Sequence, residues 1–121
     1  MRKPTKHSLK VRADKLFSAY IRSIGICQWC VVSNQSPTGN YECAHIFSRR
    51  YLVTRWSPEN ALCLCSRHHR YAHDNPLEFA ELIKSLYSSR KYYALMRKAH
   101  TSVKKIDLNE VITKYTKLLK G

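Results

Sequence analysis

Two pairs of soft metal ligands bracket one stretch of this chain, Cys27-Gln28-Trp29-Cys30 and Cys65-Ser66-Arg67-His68, with thirty-four residues between Cys30 and Cys65. Each pair has the x2 spacing with which a tight turn presents two side chains to a tetrahedral zinc ion, and two such half-sites complete one site. Whatever the intervening residues fold into must begin and end at the same point. Cys65 is the preferred member of the second pair because it leaves His68 in x2 register. Cys63 is the alternative, since Cys63 and Cys65 also read as buried thiols on a strand, and Cys43 is expected to pack in the core.

At 121 residues the chain has the length of one domain, small enough that a metal staple helps it hold a core. Lys and Arg outnumber Asp and Glu 22 to 8, a net charge of +14, and the excess is spread along the chain, which favours a polyanionic partner. Residues 82–106 hold Lys84, Arg90, Lys91, Arg97, Lys98, Lys104 and Lys105 with no acid, interleaved with Tyr87, Tyr92 and Tyr93. Such a run reads equally as a solvated helix face and as a phosphate contact. Five cysteines is an odd number, and no apolar segment follows the basic start Met1-Arg2-Lys3-Pro4, so a secreted disulfide framework is not expected. No apolar run approaches the ~18 residues of a membrane span. The expectation is a cytoplasmic protein with reduced thiols.

The pattern predicts an α+β fold. Residues 1–12 read as a basic arm, expected to be mobile, and 13–121 as a single domain with its core at about 26–76 and a helical extension over 77–121. Leu16, Phe17, Tyr20 and Ile21 recur at helical spacing from about Ala13 to Arg22, ended by Gly25. Cys27 to Cys30 is a tight knuckle, and residues 33–40 are turn-rich. Tyr41 to Phe47 alternates as a strand, Tyr51 to Arg55 is expected to return beside it, and Trp56 anchors a turn over Ser57 to Asn60.

Ser66 is placed to cap a short helix through His73. Asn75, Pro76 and Glu78 suit the cap, first position and capping box of the next helix, another runs from about Lys91 to Ala99, and Asp107 with Glu110 starts the last. That last helix carries Leu108, Val111, Ile112, Tyr115, Leu118 and Leu119, and it packs either on the metal core or on a second subunit, so a homodimer stays open.

Within this frame His45, Asn60, His69 and His73 follow one another at intervals of fifteen, nine and four. A helix puts residues i and i+4 on one face, so His69 and His73 can share an ion. Cleaving a phosphodiester requires a base for water, positive charge at the non-bridging oxygens and help for the departing 3′ oxygen; imidazole suits the first and one divalent ion the other two. His45 is the candidate base. Asn60 cannot titrate, but its amide can brace the loop that aims His45.

Asp14-Lys15-Leu16-Phe17, Ile21-Arg22, Cys27-x2-Cys30, Ala44-His45-Ile46, Ser48-Arg49, Arg55-Trp56, Asn60, Leu62, the run Cys65 to His69 and Asn75-Pro76 resemble the zinc-containing HNH endonucleases, also called ββα-metal or His-Me finger nucleases. Within that group the likeness is greatest to phage NinG/Rap-type recombination nucleases, and it covers about residues 13–85. The spacings from His45 to His73 also resemble those of colicin-type DNases.

The resemblance implies a small ββα core with a structural zinc, flanked by N- and C-terminal helices, that cleaves DNA with one Mg²⁺ or Mn²⁺ ion. It implies His45 and Asn60 as catalytic residues, His69 and His73 on the ion, and Cys27, Cys30, Cys65 and His68 on the zinc. Arg49, Arg50, Arg55, Arg67 and Arg70 are the expected nucleic-acid contacts, in the bacterial host cytoplasm if the chain is phage-encoded. One departure stands out: many members carry Asp or His directly before the base as a further ligand, and here that position is Ala44. That departure supports a non-catalytic zinc-stabilised DNA-binding module as the rival reading, and an RNA nuclease of the same fold is a third, since phosphate contacts alone do not separate the two polymers.

Overall fold

The computed structural model describes residues 2–103 and 105–121; Met1 and Lys104, the latter counted in the basic run above, lie outside the described residues. The first helix, α1 (Lys6–Arg22), starts well before the expected Ala13. Thr5 is the reason: its hydroxyl accepts from the Ser8 amide at 3.0 Å and so satisfies one of the open N–H groups of the first turn. The segment 6–12 expected as part of an arm is thus helical. Ala13, Phe17 and Ile21 form its buried stripe at i, i+4 and i+8.

Cys27 caps a short helix, α2 (Gln28–Ser33), where a bare knuckle was expected, and Asn34 closes it in the left-handed region at φ 54°. Strand β1 (Tyr41–His45) then pairs antiparallel with β2 (Ala61–Cys65), in the register Tyr41↔Cys65 through His45↔Ala61. The returning strand is therefore not Tyr51 to Arg55. That segment holds a one-turn helix, α3 (Leu52–Arg55), and a 3₁₀ turn over Pro58–Asn60 leads into β2. An alternating pattern marks a half-buried strand, whereas β2 is buried at all five positions because helices cover both of its faces.

Ala61 and Cys63 of β2 join Ala13, Phe17, Ile21, Trp56, Leu108, Ile112 and Tyr115 in one apolar cluster. Leu62 and Leu64 join Ala44, Ala72, Leu82 and Ile83 in another. The second cluster is built by α4 (Ser66–Asp74) and α5 (Pro76–Leu86). Pro76 opens α5 as expected, but no side-chain cap forms there: Glu78 accepts from the Tyr71 hydroxyl instead, while the Asn75 amide donates to Tyr71 O at 3.0 Å.

Helix α6 (Ser89–Ala99) begins where Ser88 accepts from the Lys91 amide, and α7 (Leu108–Lys120) where Asp107 accepts from Glu110. Helix α7 packs on α1, with Tyr115 edge-on to Phe17 at 5.2 Å and its hydroxyl donating to the Trp56 carbonyl. Leu108, Ile112 and Tyr115 of α7 are thus buried within the chain, while Leu118 and Leu119 stay exposed. No helix among the described residues is long and apolar enough to cross a membrane.

Candidate active site and metal centre

The β1–β2 pairing sets Tyr41 opposite Cys65, which brings the second ligand pair back toward the first. Cys27, Cys30, Cys65 and His68 are all buried, and their ligand atoms lie within 4.8 Å of one another. His68 Nδ1 sits 3.4 Å from Cys27 Sγ, 3.3 Å from Cys30 Sγ and 3.6 Å from Cys65 Sγ, and the Cys30 and Cys65 sulfurs are 4.0 Å apart. A tetrahedron with Zn–S and Zn–N bonds of about 2.3 and 2.0 Å has edges of about 3.6–3.8 Å, so the donor set fits one zinc ion.

Burial, reinforced by Cys27 and Cys65, pushes the Cys30 thiol up to about 12; three thiolates can share this volume only around a cation. Trp29 stacks on the His68 ring at 5.1 Å and 12°, and Phe79 stacks on Trp29, so the imidazole is held from its apolar side. Cys65, not Cys63, completes the set; Cys63 lies in the cluster on the other face of the sheet.

Side chains alternate along β1, and that parity sorts the remaining residues. Ala44 is buried toward α4 among Leu62 and Ala72. Glu42 points the same way: its Oε1 accepts from His69 Nδ1 at 2.6 Å, and its Oε2 is 2.9 Å from Ser66 Oγ. The His69 bond holds the Glu42 carboxyl below the ordinary carboxylate range. Glu42, Ser66, Arg67, His69, Arg70 and His73 line an open groove of about 720 Å³, floored by Thr38 and Gly39. Gly39 adopts φ +82°, and a Cβ there would stand 2.8 Å from Ser66 Cβ, so only glycine lets this loop lie against the start of α4.

His45 and Cys43 face the other side of β1, against α1. The His45 ring packs on Phe17 at 5.6 Å, and its Nε2 donates to the Arg55 carbonyl at 3.0 Å. That bond fixes the proton on Nε2 and leaves the lone pair on Nδ1. Burial, with help from Arg49, lowers the His45 pKa from its ordinary value although the carbonyl bond opposes it, so the ring is neutral at neutral pH.

Asn60 is 0 % exposed. Its Oδ1 accepts from the Phe47 amide at 2.9 Å, and its Nδ2 donates to Phe47 O at 3.0 Å and Thr54 O at 3.1 Å. It staples both ends of the connection that carries the Arg55 carbonyl to His45.

The structure thus brings His69 and His73 into one groove and places His45 on the opposite face of the same strand. Cys43 shares the His45 face, and burial pushes its thiol up to about 12, so it offers no ligand to the groove. Among the described residues only the zinc set converges tightly enough to hold an ion by three or more protein ligands. Arg67 and Arg70 are exposed along the groove, and Arg49 and Arg50 are exposed beyond β1.

Arg55, expected as a phosphate contact, is paired within the chain. Its guanidinium is committed to Asp14, at 2.7 and 3.1 Å, and stacks by Trp56. Sequence reasoning missed Glu42 and Asp14. Glu42 carries a signal, since it lies two residues before Ala44 and so on the same strand face, whereas Asp14 carries none that reaches Arg55.

Residues 30–76 match the model of the HNH endonuclease family HNH_2. The matched segment is therefore that of an HNH endonuclease domain, a class of enzyme that hydrolyses phosphodiesters. The matched segment contains β1, β2, α4 and three of the four zinc-type ligands, with Cys27 just before it. No curated protein and no solved structure matches the chain.

Proposed function

We propose that this protein is a divalent-metal-dependent DNA endonuclease in which His45 is the general base, and that Cys27, Cys30, Cys65 and His68 hold a structural zinc. The observation that carries the catalytic assignment is the bond from His45 Nε2 to the Arg55 carbonyl, which leaves a neutral Nδ1 free to take a proton from water. Among the described residues strand β1 pairs with β2 alone, and a phosphodiester laid across its other edge would be flanked by His45 on one face and the Glu42–His69–His73 groove on the other.

His69 and His73 would hold the ion. They stand one turn apart on α4, and the Glu42 bond turns His69 Nε2 away from the strand as the free donor. When bound, a Mg²⁺-class ion supplies positive charge to the non-bridging oxygens and eases departure of the 3′ oxygen. Asn60 keeps the base aimed, and the exposed Arg67 and Arg70 offer charge to the flanking phosphates.

The NinG/Rap likeness extends the proposal to phage or prophage DNA processing, with recombination intermediates as substrates. The test is incubation of zinc-loaded protein with supercoiled plasmid, branched DNA and RNA, with Mg²⁺, Mn²⁺ or EDTA. Cleavage of DNA that EDTA abolishes supports the reading; binding without turnover under every metal overturns it in favour of the binding module, and RNA-only cleavage in favour of the RNA nuclease.

Glu42→Gln keeps an acceptor for His69 Nδ1 but removes the negative charge. Its affinity for Mn²⁺, read by electron paramagnetic resonance, is expected to fall on the order of tenfold, the usual scale for an outer-shell carboxylate on a ligating histidine. An unchanged affinity would separate Glu42 from the ion.

Affinity for a non-cognate duplex is expected to drop steeply between low and physiological salt, because +14 of net charge neutralises several phosphates and releases their counterions. A flat salt response would remove nucleic acid as the partner.

A further inference from the structure

Asp14 lies on α1, outside the matched segment 30–76, yet it makes a fork of bonds into the connection that serves the base. Its Oδ2 accepts from Arg55 Nη2 at 2.7 Å, and its Oδ1 accepts from Arg55 Nε at 3.1 Å and from Trp56 Nε1 at 2.9 Å. Arg55 Nη1 donates to Arg49 O at 3.2 Å. The backbone carbonyl of the same Arg55 is the acceptor for His45 Nε2.

We propose that Asp14 is a positioning residue for the general base, acting through the Arg55 side chain to hold in place the carbonyl that orients His45. The proposal rests on the reading of His45 as base. Helix α3 has four residues, too few to hold its own shape, so the place of the Arg55 carbonyl is set from outside. Two groups set it: the Asn60 amide, which binds the neighbouring Thr54 carbonyl at 3.1 Å, and the Asp14 fork. Phe17, on the same face of α1 as Asp14, meets the His45 ring directly at 5.6 Å. Helix α1 therefore holds the base from two directions, and both fail together if it shifts.

Burial alone would raise the Asp14 carboxyl, but Arg55, Trp56 and Arg49 outweigh it, and the group stays ionised well into acid. The charges acting on His45 are Arg49 and Arg55 from the connection and Asp14 from α1; β2 brings Ala61 beside it and α1 the uncharged Phe17. Removing Asp14 leaves the charges of Arg49 and Arg55 acting on the ring unopposed.

The experiment compares full-length, zinc-loaded Asp14→Asn and Arg55→Lys with wild type and with His45→Ala. Plasmid cleavage gives kcat and KM, and ¹⁵N imidazole resonances give the tautomer and titration midpoint of His45. Asp14→Asn should lower kcat on the order of tenfold or more with KM and zinc content unchanged. It should also mix the His45 tautomers and move the midpoint to lower pH. Asp14→Glu should recover part of both.

Arg55→Lys breaks the fork while keeping the cation and should lower kcat alike, which keeps the test decisive if Asp14→Asn does not fold. Wild-type kcat and wild-type His45 resonances in the folded variants would overturn the role of Asp14 while the base stands. Full activity of His45→Ala would overturn the base itself.

Discussion

His45→Ala is expected to lower DNA cleavage by roughly 10²-fold or more while leaving duplex binding and zinc content at wild-type values, the scale of a lost acid–base group. The ring packs on Phe17 at one edge of the core and ligates nothing in the zinc site, so truncation removes a proton acceptor and not a staple. His73→Ala should behave differently. It weakens the hold on the ion, so high Mn²⁺ should restore part of its activity, whereas no metal concentration replaces a missing base.

The pH profile carries the same assignment. Since burial depresses the His45 pKa, the rate of the wild-type enzyme should fall only below the unperturbed imidazole value of about 6.5 and be level through neutrality. Cleavage rate against pH and against Mn²⁺ for the three proteins is the measurement, and a fully active His45→Ala would leave a binding module as the better description.

Cys30→Ser is expected to lose both the metal and the fold. Structural zinc sites in small domains show apparent binding energies on the order of 10 kcal/mol, and that energy is folding energy because the four ligands converge only in the native chain. Here the ligands come from α2 and from the junction of β2 with α4, so losing the ion frees both ends of the hairpin at once. Metal analysis of protein purified without added zinc should find close to one equivalent. Circular dichroism of Cys30→Ser, or of wild type after chelation, should show loss of cooperative unfolding. A native protein that is folded and free of zinc would refute the site.

Much of this was legible along the chain. The two x2 pairs named the four side chains that converge in the fold, because the halves of such a cluster are local turns whose spacing does not depend on the rest of the fold. The start of α7 was legible for a similar reason, since the Asp107 side chain satisfies an amide three residues away. Tyr51 to Arg55 misled because Tyr51, Val53 and Thr54 favour a strand, yet Asn60 and Asp14 hold it as α3, while the true partner strand, Ala61 to Cys65, is apolar throughout and has no period to read.

The sequence by itself determined the four residues of the candidate zinc site, the family of fold and the candidate catalytic histidines, because each is a matter of residue type at short spacing. Tertiary structure alone decided which side of β1 each residue serves and what holds it there. The contacts that matter most, His69 to Glu42 and Arg55 to Asp14, join residues 27 and 41 positions apart. Side-chain parity on a strand and the approach of a distant helix depend on how the whole core closes, and no local pattern encodes that closure.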